Sequence, residues 1–410
     1  MLTCLLAFSV MAQKFEKVNG IVDYAEACVG SKYAYYVGWF LTIIYYPCLT
    51  SVLSWLSARY TLVFITSIAP DFPLLGLGAA AGAETVLGPE CMSLAMFYMC
   101  CVYAVNALSP KLAGKLQVSA TIIKLIPLFL MAVVGIIVGL ANGTLANNFN
   151  TLADVGTTST NPLFASVCAT AFAYEGWIIA TSINAELKDA KKNLPRALVI
   201  GAIIIIATYI FYYVGVAGGA TNQELIDSGA TVAFINVFGN VLGNILNLFI
   251  AISCIGTMNG LMLGCVRGLY SIAVRGRGPA PHVFSQIDKE TNMPHNSAIV
   301  GLLLCGFWGL YFFLANLAGT WSGPFVFDSS ELPIITIYML YLPIFVMWIK
   351  KATDETAMRR YVLPLLAICG SLFMIYASIM GHGIACFWYL IVFAAVMAVG
   401  FAFSKEKPIN

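Results

Sequence analysis

Charged residues are scarce in this chain. Asp, Glu, Lys and Arg together make up 10% of its 410 residues, whereas 60% are hydrophobic. A water-soluble domain carries roughly 25% charged residues, and a chain this long cannot cover a water-exposed surface with so few. The composition therefore indicates that the lipid bilayer is its solvent. The net charge of +2 is small and the basic residues are dispersed, so no nucleic-acid partner is indicated.

The sequence also lacks the spacings that are typical of metal, disulfide and catalytic sites. Its 12 cysteines stand singly or as Cys100-Cys101 inside apolar runs, without CxxC or Cys/His ligand spacing. We interpret them as small buried hydrophobes, the alternative being a disulfide or metal role. No HExxH, GxSxG or P-loop motif is present. His282 and His295 lie in a predicted cytoplasmic connection and His382 at the outer edge. We therefore expect neither an enzyme nor a bound cofactor.

Long apolar runs dominate the chain instead. A helix needs about 20 apolar residues to cross a bilayer, and ten runs are long enough. They cover residues 35–65, 91–108, 116–140, 163–183, 197–218, 233–274, 297–317, 332–349, 362–380 and 384–403. The runs are continuous rather than alternating, which favours helices over a membrane β-barrel. Because 233–274 is too long for one crossing, we interpret it as a tilted helix whose inner end, near Arg267, extends into the cytoplasm.

The distribution of basic residues predicts the orientation. When the connections are assigned alternately to two sides, one side holds 18 of the 21 basic residues. These are Lys14, Lys17, Lys32, Lys111, Lys115, Lys188, Lys191, Lys192, Arg196, Arg275, Arg277, Lys289, Lys350, Lys351, Arg359, Arg360, Lys405 and Lys407. The opposite connections hold no basic residues, yet they carry the acidic residues Asp71, Glu84, Glu90, Asp154, Glu224, Asp227, Asp328 and Glu331. The positive-inside rule makes the first side, with the C-terminus, cytoplasmic in a cell (plasma or inner) membrane.

Residues 1–12 are apolar but too short to span a bilayer, and no basic residue precedes Lys14. Since the connection at Lys14 is predicted to be cytoplasmic, this segment descends from the outer side. We expect it to be the end of a span, with a complete first helix missing from this chain. Twelve spans, with both termini inside, would result if that helix were restored.

Two ionisable residues lie deep within predicted spans. Lys124 is about eight residues into its span and Glu175 about twelve, which correspond to depths of roughly 12 Å and 18 Å. A charge at such depth is costly and marks a functional candidate. Glu175 stands in Phe172-Ala173-Tyr174-Glu175-Gly176-Trp177, where a glycine weakens the helix.

A helix interrupted at this glycine would expose carbonyl groups that attract an ammonium and N–H groups that attract a carboxylate. Backbone can unwind at this depth only where protein or a water-filled cavity surrounds it. The alternative is a continuous helix in which Gly176 is a packing contact and Glu175 is paired across an interface.

These residues carry a resemblance to a known family. The segment 172–195, FAYEGWIIATSINAELKDAKKNLP, closely resembles the sixth helix and following loop of the amino acid–polyamine–organocation family, and FAYxGW most resembles its L-type branch and bacterial relatives. The segment 253–279, SCIGTMNGLMLGCVRGLYSIAVRGRGP, resembles the family's eighth helix. Lys124 falls where members that do not use sodium carry a lysine in helix five, and 18–39 resembles the loop between helices two and three.

The resemblance implies an all-α membrane protein with a five-plus-five inverted repeat (LeuT-like fold), whose helices one and six are broken around a midplane site. Residues 1–140 would form the first repeat, truncated at its start, and 163–349 the second. Residues 362–403 would supply two additional scaffold helices. The missing first helix would carry the other half of the site.

The resemblance also implies individual roles. Carbonyls around Phe172, Ala173 and Glu175 would bind a substrate ammonium, and Phe172 would be the aromatic lid. Gly176 would allow the unwinding between Tyr174 and Trp177. Glu175 departs from the mammalian L-type pattern, which has glycine there. Its carboxylate would pair a substrate cation, relay a proton or pair within the protein.

Lys124 would replace the bound cation of sodium-coupled relatives and tie helix five to helix eight near Thr257. It is either permanently charged or a carrier of the coupling proton. Thr257 and Asn259 are polar groups of an apolar helix. They would line the same site or hydrogen-bond between helices.

The predicted function is secondary transport of amino acids by proton symport or exchange. The alternatives are a receptor or scaffold that does not transport and an inactive permease fragment. The expected partners are an amino acid substrate, lipid and, for symport, protons, and the sequence carries no signature of a partner subunit. Which amino acid is carried stays open.

Overall fold

The computed structural model describes residues 1–15, 20–69, 89–151, 161–182, 187–317, 321 and 323–408. Lys17, Asp71, Glu84, Asp154 and part of the loop after Trp177 lie outside the described residues. All regular structure within them is helical.

The helices, in chain order, are α1 Leu2–Lys14, α2 Gly20–Cys28, α3 Ser31–Ile68, α4 Pro89–Leu108, α5 Pro110–Ala141, α6 Thr144–Asn150, α7 Pro162–Tyr174, α8 Ile179–Ser182, α9 Ala190–Gly219, α10 Asn222–Ser228, α11 Ala230–Ala273, α12 Pro281–Phe284, α13 His295–Leu317, α14 Leu332–Lys351, α15 Met358–His382 and α16 Ile384–Ala402.

All ten predicted spans are confirmed within the described residues, where ten helical segments are long and apolar enough to cross a membrane. The interpretation of 233–274 as a single tilted helix is wrong. Gly239, with φ 81° and ψ 168°, interrupts α11 and divides it into a short and a long helix. Glycine adopts this conformation without the Cβ clash that other residues meet. The chain therefore changes direction near Gly239 and does not continue along one axis.

Helix α3 lies at the centre of the molecule, and 94% of its most apolar 18-residue window is buried within the protein. A π-helical turn, Leu41–Tyr45, interrupts its regular hydrogen bonding. Pro47 follows and has no N–H to offer the carbonyl of Ile43 four residues earlier. Trp308 of α13 supplies that bond, because its Nε1 donates to the Ile43 oxygen at 2.8 Å. The irregular turn is thereby fixed from a neighbouring helix.

Helices α5 and α9 touch through glycines. A Cβ added at Gly139 would overlap the backbone of Gly218, and one added at Gly215 would overlap the Met131 carbonyl. Between helices in lipid, association depends on close van der Waals packing, which small residues allow. These close contacts at Gly139 and Gly215 therefore set the distance between the two spans.

Ion pairs join several of the loops that carry basic residues at one end of the protein. Lys14 pairs with Asp354 at 2.6 Å and with Glu355 at 2.9 Å, and this ammonium holds the pKa of the Asp354 carboxyl below its ordinary value. Further ion pairs at this end are Arg275–Asp23, Arg275–Glu26 and Arg277–Glu406. Partners in ion pairs must lie on the same side of a membrane. The alternating assignment of the connections is therefore consistent with the fold.

The glycine contact yields a stability prediction. Gly139→Ala and Gly215→Ala should each lower the free energy of unfolding by about 1–3 kcal/mol, because the added methyl forces apart two packed backbones. Thermal unfolding of the purified protein in detergent measures this change. Gly201→Ala on α9 is the matched control, since a Cβ there meets open space and gains about 0.5–1 kcal/mol of helix stability. Equal effects at Gly139 and Gly201 would show that the contact is not tight.

Candidate functional site

The helix that resembles the family's sixth helix is broken at Glu175 and Gly176. Helix α7 ends at Tyr174, because Glu175 adopts an extended conformation with φ −84° and ψ 167°. Gly176 follows with φ 107°, a value that L-residues adopt only with strain. Helix α7 has 13 residues and is thus about 20 Å long. The break lies well inside a hydrocarbon layer of about 30 Å, so the alternative of a continuous helix is wrong.

The break leaves peptide groups without backbone partners on both of its sides. In the part of the chain that the structure describes, no backbone N–H donates to the carbonyls of Ala173, Tyr174 and Glu175. The N–H groups of Gly176, Trp177 and Ile178 likewise donate to no described backbone carbonyl. The hydrogen-bond ladder resumes only when Ile179 donates to the Gly176 carbonyl at 3.0 Å. Because the Gly176 N–H bonds the Glu175 carboxyl, the site offers three carbonyl acceptors at one helix end and the N–H groups of Trp177 and Ile178 at the next.

A hydrogen bond from the central helix holds the Glu175 carboxyl. The Tyr45 hydroxyl donates to Glu175 Oε1 at 2.6 Å. Tyr45 is the last residue of the π-helical turn in α3, and such turns often occur at functional sites because they redirect side chains out of the regular helix. The Tyr45 side chain is fully buried. The bond therefore ties the broken helix to the most deeply buried span of the protein.

An aromatic cluster adjoins the break. Phe8 of α1 contacts Trp177 and Tyr24 at 5.7 Å and Tyr341 at 4.8 Å between ring centroids. The cluster contains three buried polar atoms, Trp177 Nε1, Tyr24 Oη and Tyr341 Oη, without a hydrogen-bond partner among the described residues. Buried polar groups are rarely left unpaired in folded proteins. Their concentration beside the broken helix indicates a place where a polar ligand or water completes the bonding.

The structure separates the six residues of the predicted segment. Glu175 and Trp177 face α1, α3 and α14. Phe172 is half-buried against the core cluster, whereas the Ala173 side chain is exposed. The Tyr174 ring packs on Tyr209 of α9 at 5.1 Å between centroids. Tyr174 can therefore contribute its carbonyl to the site but directs its side chain to a neighbouring helix.

The second group of predicted residues lies where α5 packs against α11. Lys124 is half-buried there beside Cys254. The Thr257 hydroxyl donates to Ser253 of its own helix at 3.0 Å. Cys254 lies one helical turn before Thr257, and these contacts do not reach the 172–177 segment.

Asn259 is the centre of a buried hydrogen-bond network. Its amide nitrogen donates to Ala113 O at 3.0 Å and to Gln117 Oε1 at 3.1 Å, both on α5. Its oxygen accepts from Asn106 of α4 at 2.8 Å. The observed bonds are those of the interhelical alternative, so Asn259 connects three helices.

Sequence reasoning missed several residues at the break. Tyr45, Phe8, Tyr24 and Tyr341 belong to separate helices. Tyr45, Phe8 and Tyr341 stand in apolar segments, where an aromatic residue is typical of a hydrophobic core, and Tyr24 lies in the segment that resembles a loop. The only signal for Tyr45 is Pro47 two residues later, which marks a local irregularity in a helix.

Comparisons with known proteins support this architecture. The family profile described as amino acid permease matches residues 1–403. A serine/threonine exchanger, SteT, of Bacillus subtilis is 26% identical over 413 residues, which cover 98% of this chain and 85% of that protein. The b(0,+)-type amino acid transporter 1 of Mus musculus is 24% identical over 394 residues, with coverage of 95% and 74%.

The cystine/glutamate transporter of Homo sapiens is 24% identical over 298 residues, and the match spans 72% of this chain and 55% of the human protein. All three are named as carriers of amino acids. The profile match runs from the first helix of this chain into the end of its last. The chain therefore belongs to the amino acid permease family.

Proposed function

We propose that this protein is a secondary transporter that binds a free amino acid at the break between α7 and α8. The proposal rests on the peptide groups at the break that have no backbone partner among the described residues, which are the carbonyls of Ala173, Tyr174 and Glu175 and the N–H groups of Trp177 and Ile178. A zwitterion carries an ammonium for the carbonyls and a carboxylate for N–H groups, and broken helices in secondary transporters bind substrates in this way. The ammonium of the substrate thus matches the carbonyl half of the break, and its carboxylate matches the N–H half.

In the proposed site the ammonium lies against the carbonyls of Ala173, Tyr174 and Glu175. Phe172 covers it from the outer side, and Gly176 supplies the turn. The Glu175 carboxyl, held by Tyr45, adds a negative charge next to the ammonium. Residues 1–140 and 163–349 act as inverted repeats, and 362–403 as scaffold.

We further propose that the coupling mode is exchange of one amino acid for another. The support is the exchanger of Bacillus subtilis, which matches nearly the whole of this chain. Lys124 occupies the place of a coupling cation and keeps one positive charge at the α5–α11 interface. Proton symport is the second candidate, favoured by the position of the Glu175 carboxyl at the break. The end with the paired basic connections and the C-terminus faces the cytoplasm, in accordance with the positive-inside rule.

Uptake into proteoliposomes tests the proposal. Labelled amino acids should accumulate transiently when the liposomes contain an unlabelled amino acid and not when they are empty, because exchange needs a substrate on each side. An inward proton gradient across empty liposomes is the second arm. Accumulation of the labelled amino acid there would show that the coupling mode is proton symport and not exchange. The twenty amino acids scanned as internal substrates define the specificity. Binding of a labelled amino acid without uptake in either arm would contradict transport and favour a receptor.

The carboxyl at the break yields a second prediction. Glu175→Gln keeps an oxygen that accepts from Tyr45 but removes the charge, so the KM for uptake should rise about 10–100-fold, as expected for the loss of a hydrogen bond between charged groups. Tyr45→Phe should raise KM less, since the carboxylate stays.

The matched control is Asp227→Asn, an acidic residue exposed on α10. Its KM should be unchanged. A Glu175→Gln protein with the KM and pH profile of the wild type would show that the carboxyl only pairs within the protein.

A further inference from the structure

A cluster of metal-ligating side chains lies at the outer end, away from the break. Cys168 of α7, Glu331 immediately before α14 and His382 at the end of α15 each offer one ligand atom, and these three atoms lie within 4.8 Å of one another. His382 Nε2 and Glu331 Oε2 are 3.1 Å apart. From this geometry we propose that the three residues bind a transition metal ion of the Zn²⁺ class, which fixes the outer half of the broken helix.

The packing of α15 on α7 brings the cluster together. Gly381 has no side chain, and a Cβ there would lie 3.3–3.4 Å from the backbone of Phe164 and Ala165. The end of α15 therefore approaches α7 closely. His382, the next residue, reaches Cys168 one turn further along α7. Gly383, with φ 53°, then ends α15, so the imidazole stands at the rim and not within a longer helix.

The chemistry of the three groups selects the class of metal. A thiolate, an imidazole and a carboxylate are the ligands of zinc sites, whereas Ca²⁺ and Mg²⁺ take oxygen ligands. Ligand atoms around tetrahedral zinc are about 3.5 Å apart, as follows from metal–ligand distances of about 2.0–2.3 Å. The His–Glu pair is already this close, and the thiol needs only a small approach. Three protein ligands leave a fourth position for water.

The surroundings indicate a site that is protected yet reachable. Cys168 is fully buried, and the side chains of His382 and Glu331 are 13% and 19% exposed. His382 Nδ1 is buried without a hydrogen-bond partner among the described residues. On binding, the Cys168 thiol and the His382 nitrogen that faces Glu331 would each release a proton to water, because the metal binds a thiolate and a neutral imidazole.

A metal ion bound at this position would have a mechanical effect, because it would restrain the half-helix α7. This consequence rests on the proposed function. Cys168 lies six residues before the end of α7 and thus about 9 Å from the break. A bound ion would link this half-helix to α14 and α15. Transport in such folds requires one part of the protein to rock against another, so the link would slow it.

Binding is tested with Co²⁺ as a probe for Zn²⁺ on the purified full chain in lipid nanodiscs. Wild-type protein should develop the near-ultraviolet absorption of a thiolate–cobalt bond, and Zn²⁺ but not Mg²⁺ should remove it. Cys168→Ser should lose the band. His382→Ala should weaken the cobalt affinity more than tenfold, because even loss of an outer-shell partner costs about 10–100-fold.

Cys386→Ser is the matched control, a buried cysteine near the same end that contacts Ser378. It should keep the band. Thermal unfolding without metal confirms that each variant is folded. Absence of the band in the wild type, or the same band in folded Cys168→Ser, would overturn the site.

The mechanical effect needs a separate measurement. Zn²⁺ added outside proteoliposomes should slow uptake several-fold in the wild type and in Cys386→Ser, but not in Cys168→Ser. Equal slowing in all three proteins would overturn the proposed mechanical effect. So would the absence of slowing in a wild-type protein that binds Co²⁺. The cobalt titration does not depend on transport, so a chain without uptake would contradict the proposed function and leave the binding site standing.

Discussion

Unpaired peptide groups are expensive in a bilayer, and the protein keeps several of them at one place. Each such group costs several kcal/mol in hydrocarbon unless something else pairs with it. Side chains of neighbouring helices pack beside the break. Tyr45 holds the Glu175 carboxyl, and Phe8, Trp177 and Tyr341 form an aromatic wall beside it. The conformation of Gly176 makes the arrangement possible, because other residues do not adopt its φ without strain.

The rest of the fold is arranged to keep this interruption in place. Helix α3, buried on nearly all sides, presents Tyr45 from a π-helical turn that Trp308 stabilises from α13. Helices α5 and α9 pack through glycines, and Asn259 joins α11 to α4 and α5. At the basic end, ion pairs connect distant parts of the chain, such as Arg275 with Asp23. At the opposite end Cys168, Glu331 and His382 connect the half-helix α7 to α14 and α15. The break thus lies between two ends of the protein at which side chains from distant parts of the sequence meet.

The sequence predicts those features that depend on local pattern. Hydropathy over about 20 residues defines the spans, and a glycine after a buried Glu175 marks the break. It does not predict the kink at Gly239, because a glycine in a long apolar helix is equally compatible with a packing contact. Tyr45 and Tyr341 reach the break from separate helices, and His382 reaches Cys168 from another. These contacts depend on the crossing geometry of the helices, which sequence spacing does not encode. For the same reason the cysteine spacing gives no sign of Cys168 as a ligand. The sequence leaves both a site role and an interhelical role open for Asn259, and its three hydrogen-bond partners correspond to the interhelical one.

The most direct test is a cryo-electron microscopy structure of the protein in a nanodisc with a bound amino acid. The prediction is that the helix stays broken at Glu175 and Gly176. The ligand's ammonium should lie within about 3 Å of carbonyl oxygens in the segment 173–175, the distance of a hydrogen bond. A ligand bound elsewhere, or a helix continuous from Pro162 through Ser182, would contradict substrate binding at the break.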